Sequence, residues 1–139
     1  MSAPRSWTIE LPAGLPLLNS NRQVHPKAKS RITKKIRTAA KVMGLAAKIP
    51  RLERASVVCE YRPPSATRLR DGGNWWPSFK PAIDGALVDA GVLADDNSNI
   101  LVDTSLRVGP VDKQSALFRL STGRLVLIVT EVLPVDGGG

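Results

Sequence analysis

The chain has 139 residues, 42% of them apolar and 4% aromatic, with a formal net charge of +8 and a pI near 10.3. Such a length fits one globular domain able to bury a core of helices on a sheet. A single cysteine excludes an internal disulfide framework, and with only one histidine beside it it argues against a structural zinc site. No apolar run reaches the roughly 18 residues of a membrane span, and the opening MSAPRSW lacks a signal-peptide pattern. A soluble, reducing, cytoplasmic setting without membrane association is expected.

Residues 7–11 (WTIEL) alternate apolar and polar and predict a first strand ending at Pro12. The Pro-, Gly- and Asn-rich segment that follows, PAGLPLLNSNRQVHP, predicts a loop. Over residues 27–47 the period becomes helical: Ile32, Ile36, Ala39, Ala40, Met43 and Ala47 form one apolar stripe, with Lys34, Arg37 and Lys41 opposite. Pro50 limits this helix. Residues 54–62 (RASVVCEYR) predict a second strand with Cys59 buried in it. A basic loop then runs to Asn74, and Pro77 or Pro81 opens a second helix. Its buried stripe is Phe79, Ile83, Ala86, Leu87 and Ala90, and Gly91 is its stop. DDNSN at residues 95–99 predicts a turn. Residues 100–108 and 117–132 predict the remaining strands, the latter broken by a turn at Ser121, Thr122 and Gly123. The expected fold is α/β (α+β), a small mixed sheet with two main helices in the order β-α-β-α-β-β. The expected domain covers residues 1–134, and residues 135–139 form a disordered tail.

The charge is uneven. No acid lies between Glu10 and Glu53, yet ten of the twenty Lys and Arg residues do. That clustering is the footprint of a polyanionic partner, with a solvated helix face as the ordinary alternative. The candidate phosphate contacts are Arg31, Lys34, Lys35, Arg37 and Lys41 on the helix, with Arg68 and Arg70 in the later loop.

Five of the twelve acids fall between Arg70 and Asp96, and Asp95 and Asp96 stand side by side. Asp71, Asp84 and the Asp95–Asp96 doublet occupy three successive element boundaries. Pairing the second strand with the third would bring them toward one end of the sheet. Oxygen ligands of this kind suit magnesium or manganese, which keep waters and share substrate phosphates. A divalent cation would also relieve the repulsion within the doublet. Each acid has an ordinary role too: Asp71 as a turn residue, Asp84 near a positive helix end, the doublet as solvated caps. Trp75 and Trp76 are adjacent and cannot share one buried stripe. Anchoring of both in the core is favoured over stacking of an exposed one on an unpaired base. His25, Asn19 and Asn21 lie in the loop ahead of the basic helix.

The order Arg70-Asp71, Asn74, Lys80, Asp84, Gly91 and Asp95-Asp96, written out as RDGGNWWPSFKPAIDGALVDAGVLADD, resembles the RusA family of Holliday-junction resolvases, most of all its members from phages of actinobacteria. The opening strand, the LNSN loop and the closing RLVLIVTEV strand also fit. The family pattern D-x-D-N has Gly73 at its second acid, and the segment between Asn74 and Lys80 is longer than in its shorter members. The resemblance implies a magnesium-dependent endodeoxyribonuclease, manganese substituting, that acts as a symmetric homodimer. It would cut branched DNA (four-way junctions) by paired incisions, with no small-molecule cofactor. It implies Asp71 and Asp96 as metal ligands, Asp84 and Asp95 as further ligands or supporting acids, and Lys80 beside the scissile phosphate. A non-catalytic nucleic-acid-binding protein of the same fold and a metal-free basic RNA-associated or structural phage protein remain as alternatives.

Overall fold

The computed structural model describes residues 3–66 and 72–134. Asp71, Arg68, Arg70 and the expected tail at residues 135–139 therefore lie outside the described residues. Four strands form one mixed sheet in the spatial order β1-β4-β2-β3. The strands are β1 (Ser6–Glu10), β2 (Ala55–Arg62), β3 (Leu101–Val108) and β4 (Arg124–Glu131). β4 pairs antiparallel with both β1 and β2, Cys59 standing opposite Leu127. β2 and β3 run parallel, as a strand–helix–strand connection requires.

Three helices accompany the sheet: α1 (Pro26–Ala46), α2 (Trp76–Ile83) and α3 (Lys113–Leu117). A 3-10 turn at Gly72–Trp75 leads into α2, and a π-helical segment at Asp84–Asp89 continues it. Pro77 sits in the first turn of α2, where its missing N–H costs nothing, whereas Pro81 lies inside the helix. Gly91, at φ 82°, adopts the left-handed conformation beyond the segment's end, as the sequence predicts.

The core lies between one face of the sheet and the pair α1/α2. Val57, Cys59 and Tyr61 of β2 and Leu125, Leu127 and Val129 of β4 alternate inward, period two, against Ile36, Ala40, Phe79, Ile83 and Leu87. Helix α1 buries Ile36, Ala40 and Gly44, half-buries Ile32, Ala39, Met43 and Ala47, and exposes Arg31, Lys34, Lys35, Arg37 and Lys41. The two-faced helix read from the periodicity is therefore the one that forms.

The crossing of α1 over the π-helical segment is unusually close. A Cβ on Gly85 would stand 2.1 Å from the Arg37 carbonyl oxygen, and one on Gly44 would stand 2.3 Å from that of Ala86. Only residues without a side chain allow the two backbones to touch, and this contact sets Arg37 beside the turn that carries Asp84.

Two expectations are corrected. Residues 117–123 are not strand: α3 ends at Leu117, Arg119 takes φ 52°, and β4 begins only at Arg124. The Asp112 carboxylate accepts from the Ser115 backbone N–H at 2.9 Å and from its hydroxyl at 2.7 Å, capping α3. That cap nucleates a helix too short for periodicity to reveal. The tryptophans also part company. Trp75 is buried and stacks on Tyr61, with ring centroids 3.9 Å apart at 15°, but Trp76 is 40% exposed.

Candidate functional site

Lys80 and Asp84 are four residues apart on one continuous helical path, so they share a face. The Lys80 ammonium donates to Asp84 Oδ1 at 3.1 Å. It also donates to Asp96 Oδ2, which arrives from the turn before β3. Two carboxylates far apart in sequence thus converge on one cationic atom. Asp84 is at the C-terminal boundary of α2 rather than near a helix N-terminus, so the helix dipole does not account for it.

The turn that delivers Asp96 is held by its own side chains. Asp95 Oδ1 accepts from the Asp96 backbone N–H at 2.8 Å, and Asp95 Oδ2 accepts from the Asn97 amide at 3.0 Å. Asn97 Oδ1 accepts from the Asn99 backbone N–H at 3.0 Å, and its carbonyl receives Ile100 and Leu101. The structure therefore divides the doublet: Asp96 faces Lys80 and Asp84, while Asp95 orders the turn behind it.

Electrostatics distinguish the two converging acids. Burial pushes the Asp84 carboxyl above its ordinary range; Lys80 opposes this rise and the neighbouring Asp96 adds to it. Asp96 is held below the ordinary range, chiefly by the hydrogen bond from Lys80 and next by one shared with Asp84. Lys80 is raised in turn, above all by Asp96. One acid of the pair carries its charge readily and the other reluctantly.

Arg37 lies alongside. Its guanidinium forms a forked pair with Asp89, at 2.6 Å and 2.8 Å. Asp89 raises the Arg37 pKa, and the charges of Asp84 and Asp96 contribute to the rise. The sequence places Arg37 among the DNA-facing cations but gives no hint of this partner. Asp89 is five residues beyond Asp84, and the π-helical winding brings it toward α1. Lys34 and Lys41 lie on the same side of α1 with side chains in solvent, while Arg31 and Lys35 occupy the other flank, near Leu15.

The donor set fits magnesium or manganese: two carboxylates meet where a cation, the Lys80 ammonium, already stands, and such ions commonly take one or two protein carboxylates plus water and phosphate oxygens. Among the described residues no group of three or more Asp, Glu, His or Cys is placed to hold a metal ion. Asp84 and Asp96 are the pair the structure brings together; Asp95 adjoins them.

Several charged groups carry no signature in the sequence. Glu60 is buried on β2, and its carboxylate accepts from Arg62 at 2.7 Å and from Arg107 at 2.9 Å. Burial opposes its ionisation, but these two cations win and hold its pKa low. Arg124 donates to Asp112 at 2.9 Å and to the Leu11 carbonyl at 2.9 Å, fastening α3 to the sheet. His25 caps α1, its Nδ1 accepting from the Lys27 backbone N–H at 3.2 Å. No described helix is long and apolar enough to cross a membrane. The chain matches no family model and no curated protein.

Proposed function

We propose that the protein is a magnesium-dependent endonuclease of the RusA kind, cutting branched DNA at four-way junctions as a homodimer in the host cytoplasm. The observation that carries this reading is the convergence of Asp84 and Asp96 on Lys80, flanked by the exposed cations of α1. Acids grouped beside a surface that attracts phosphate are what phosphodiester hydrolysis needs and what folding alone does not.

Asp84 and Asp96 hold the cation in this reading, with Asp71, carried over from the resemblance, and Asp95 as further acids. A bound divalent ion supplies an activated water and neutralises charge that builds on the scissile phosphate. The ammonium of Lys80, within reach of both carboxylates, would face a phosphate oxygen. Lys34, Lys41, Arg31 and Lys35 hold the sugar-phosphate backbone without reading sequence. Two copies related by a twofold axis match the symmetry of a four-way junction and pair the incisions.

A second reading, a nucleic-acid-binding protein that has lost cleavage, is favoured by one feature: Gly73 stands where the family pattern has its second acid. A synthetic four-way junction separates the two. Cleavage that requires magnesium supports the endonuclease. Selective binding of the junction without cleavage supports the second reading, and equal affinity for junction and plain duplex without cleavage supports the metal-free basic RNA-associated or structural protein.

A further inference from the structure

We infer that the loop ahead of α1 and the Tyr61–Trp75 stack form a pocket for one unpaired nucleobase, at the far end of a cationic track leading to the Asp84–Asp96 pair. The inference rests on the nucleic-acid reading above and adds to it a second contact, away from the acids.

The pocket has a volume of about 360 Å³, and Asn19, Asn21, Arg22, Tyr61, Trp75 and Thr122 are among its lining residues. Leu17, Pro64 and the edge of the buried aromatic pair supply an apolar wall, and amide and guanidinium groups supply the polar edge. A base needs both, because its faces are apolar and its rim carries donors and acceptors. Asn21 and Arg22 are exposed, and neither side chain hydrogen-bonds to another described residue.

The loop is held in place before any ligand arrives. The buried Ser78 hydroxyl accepts from the Leu18 backbone N–H at 2.6 Å and donates to the Leu18 carbonyl at 2.7 Å. The Ser20 backbone N–H donates to the Asn74 carbonyl at 2.8 Å. Asn19 Oδ1 accepts from the Asn21 backbone N–H at 2.8 Å, closing the turn. The Ser78 bonds tie the loop to α2, the helix that carries Lys80 and ends at Asp84.

Shared cationic side chains mark a path between the two. Arg22 also borders a second hollow of about 320 Å³, which ends at Lys29. Lys29 borders a third, of about 480 Å³, running along α1 past Lys34 to Arg37, whose partner Asp89 leads to Asp84. A strand laid along this path meets a cation at each stage and no unpaired acid until the site. A single strand fits it, and a base lifted from the stack at a junction fits its end.

The test uses four-way junctions carrying 5-iododeoxyuridine at one position each, moved stepwise from the branch point, with calcium in place of magnesium. After irradiation, the crosslinked peptides are identified by mass spectrometry. The expected result is a yield that peaks at one position, with the crosslink in residues 17–22 or at Trp75. Asn21→Ala should lower that yield about two- to tenfold, the range for losing one hydrogen bond, while leaving crosslinks to α1 intact. Crosslinks confined to α1, or a yield that ignores position, overturn the pocket and leave the nucleic-acid reading standing. A protein that retains no DNA at all overturns both.

Discussion

At the scale of single residues, the reluctant charge on Asp84 has consequences that can be measured. Its folded pKa is raised, so the native state binds the proton more tightly than the unfolded chain. Its contribution to stability is therefore full below the unfolded value of about 3.9 and is lost as pH rises through the folded value. At neutral pH and without a divalent cation, Asp84→Asn should raise the melting temperature while abolishing magnesium-dependent cleavage; a variant that melts lower and still cuts contradicts the assignment. Asp96→Asn removes a neighbouring charge that raises Asp84 and leaves Lys80 to Asp84 alone, so Asp84 should titrate at lower pH, read from its carboxyl carbon by NMR. The same substitution should reduce cleavage at least about 100-fold, since even groups behind metal ligands cost about 10–100-fold when removed. Junction binding should stay near the parent level. Cys59 offers a separate check: burial pushes its thiol up to about 12, so a thiol reagent should react only after denaturation.

The elements show which parts of the fold the sequence could announce. Helix α1 was legible because twenty-one residues carry one period on both faces, and β2 because an apolar run is closed by two prolines. Helix α3 was hidden because its five residues give periodicity nothing to work on; the visible sign was Asp112 three residues before Ser115, a capping pattern. The π-helical winding was hidden too, since hydrogen bonding one residue further than in an α-helix leaves the apolar pattern almost unchanged. The Lys80–Asp84 pair depended on α2 starting before Lys80, the arrival of Asp96 on how the turn at residues 95–99 packs, and the Arg37–Asp89 pair on how two helices cross. That crossing is itself testable. Gly85→Ala pushes a methyl group against the Arg37 carbonyl, 2.1 Å from an ideal Cβ. It should cost about 1–3 kcal/mol in denaturant unfolding and loosen the hold of Asp89 on Arg37. An unchanged unfolding midpoint would mean the helices are free to part.

For the whole molecule, the excess positive charge and the site are two ends of one arrangement. Helix α1 carries the cations on its outer face and, through Gly44 and Gly85, places them beside the acids. Affinity for DNA should fall linearly with the logarithm of salt, with a slope near −0.9 for each phosphate engaged. Lys34→Ala and Lys41→Ala should each make that slope shallower by about one; Arg37→Ala should do less to the slope, because its charge is already matched by Asp89. If Asp84 and Asp96 together take up a divalent cation, manganese binding is the measurement that shows it, followed by the relaxation of water protons with junction DNA present. The parent protein should take up manganese, and the Asp84→Asn, Asp96→Asn double variant should not. No uptake by the parent, or equal uptake by the double variant, would contradict it.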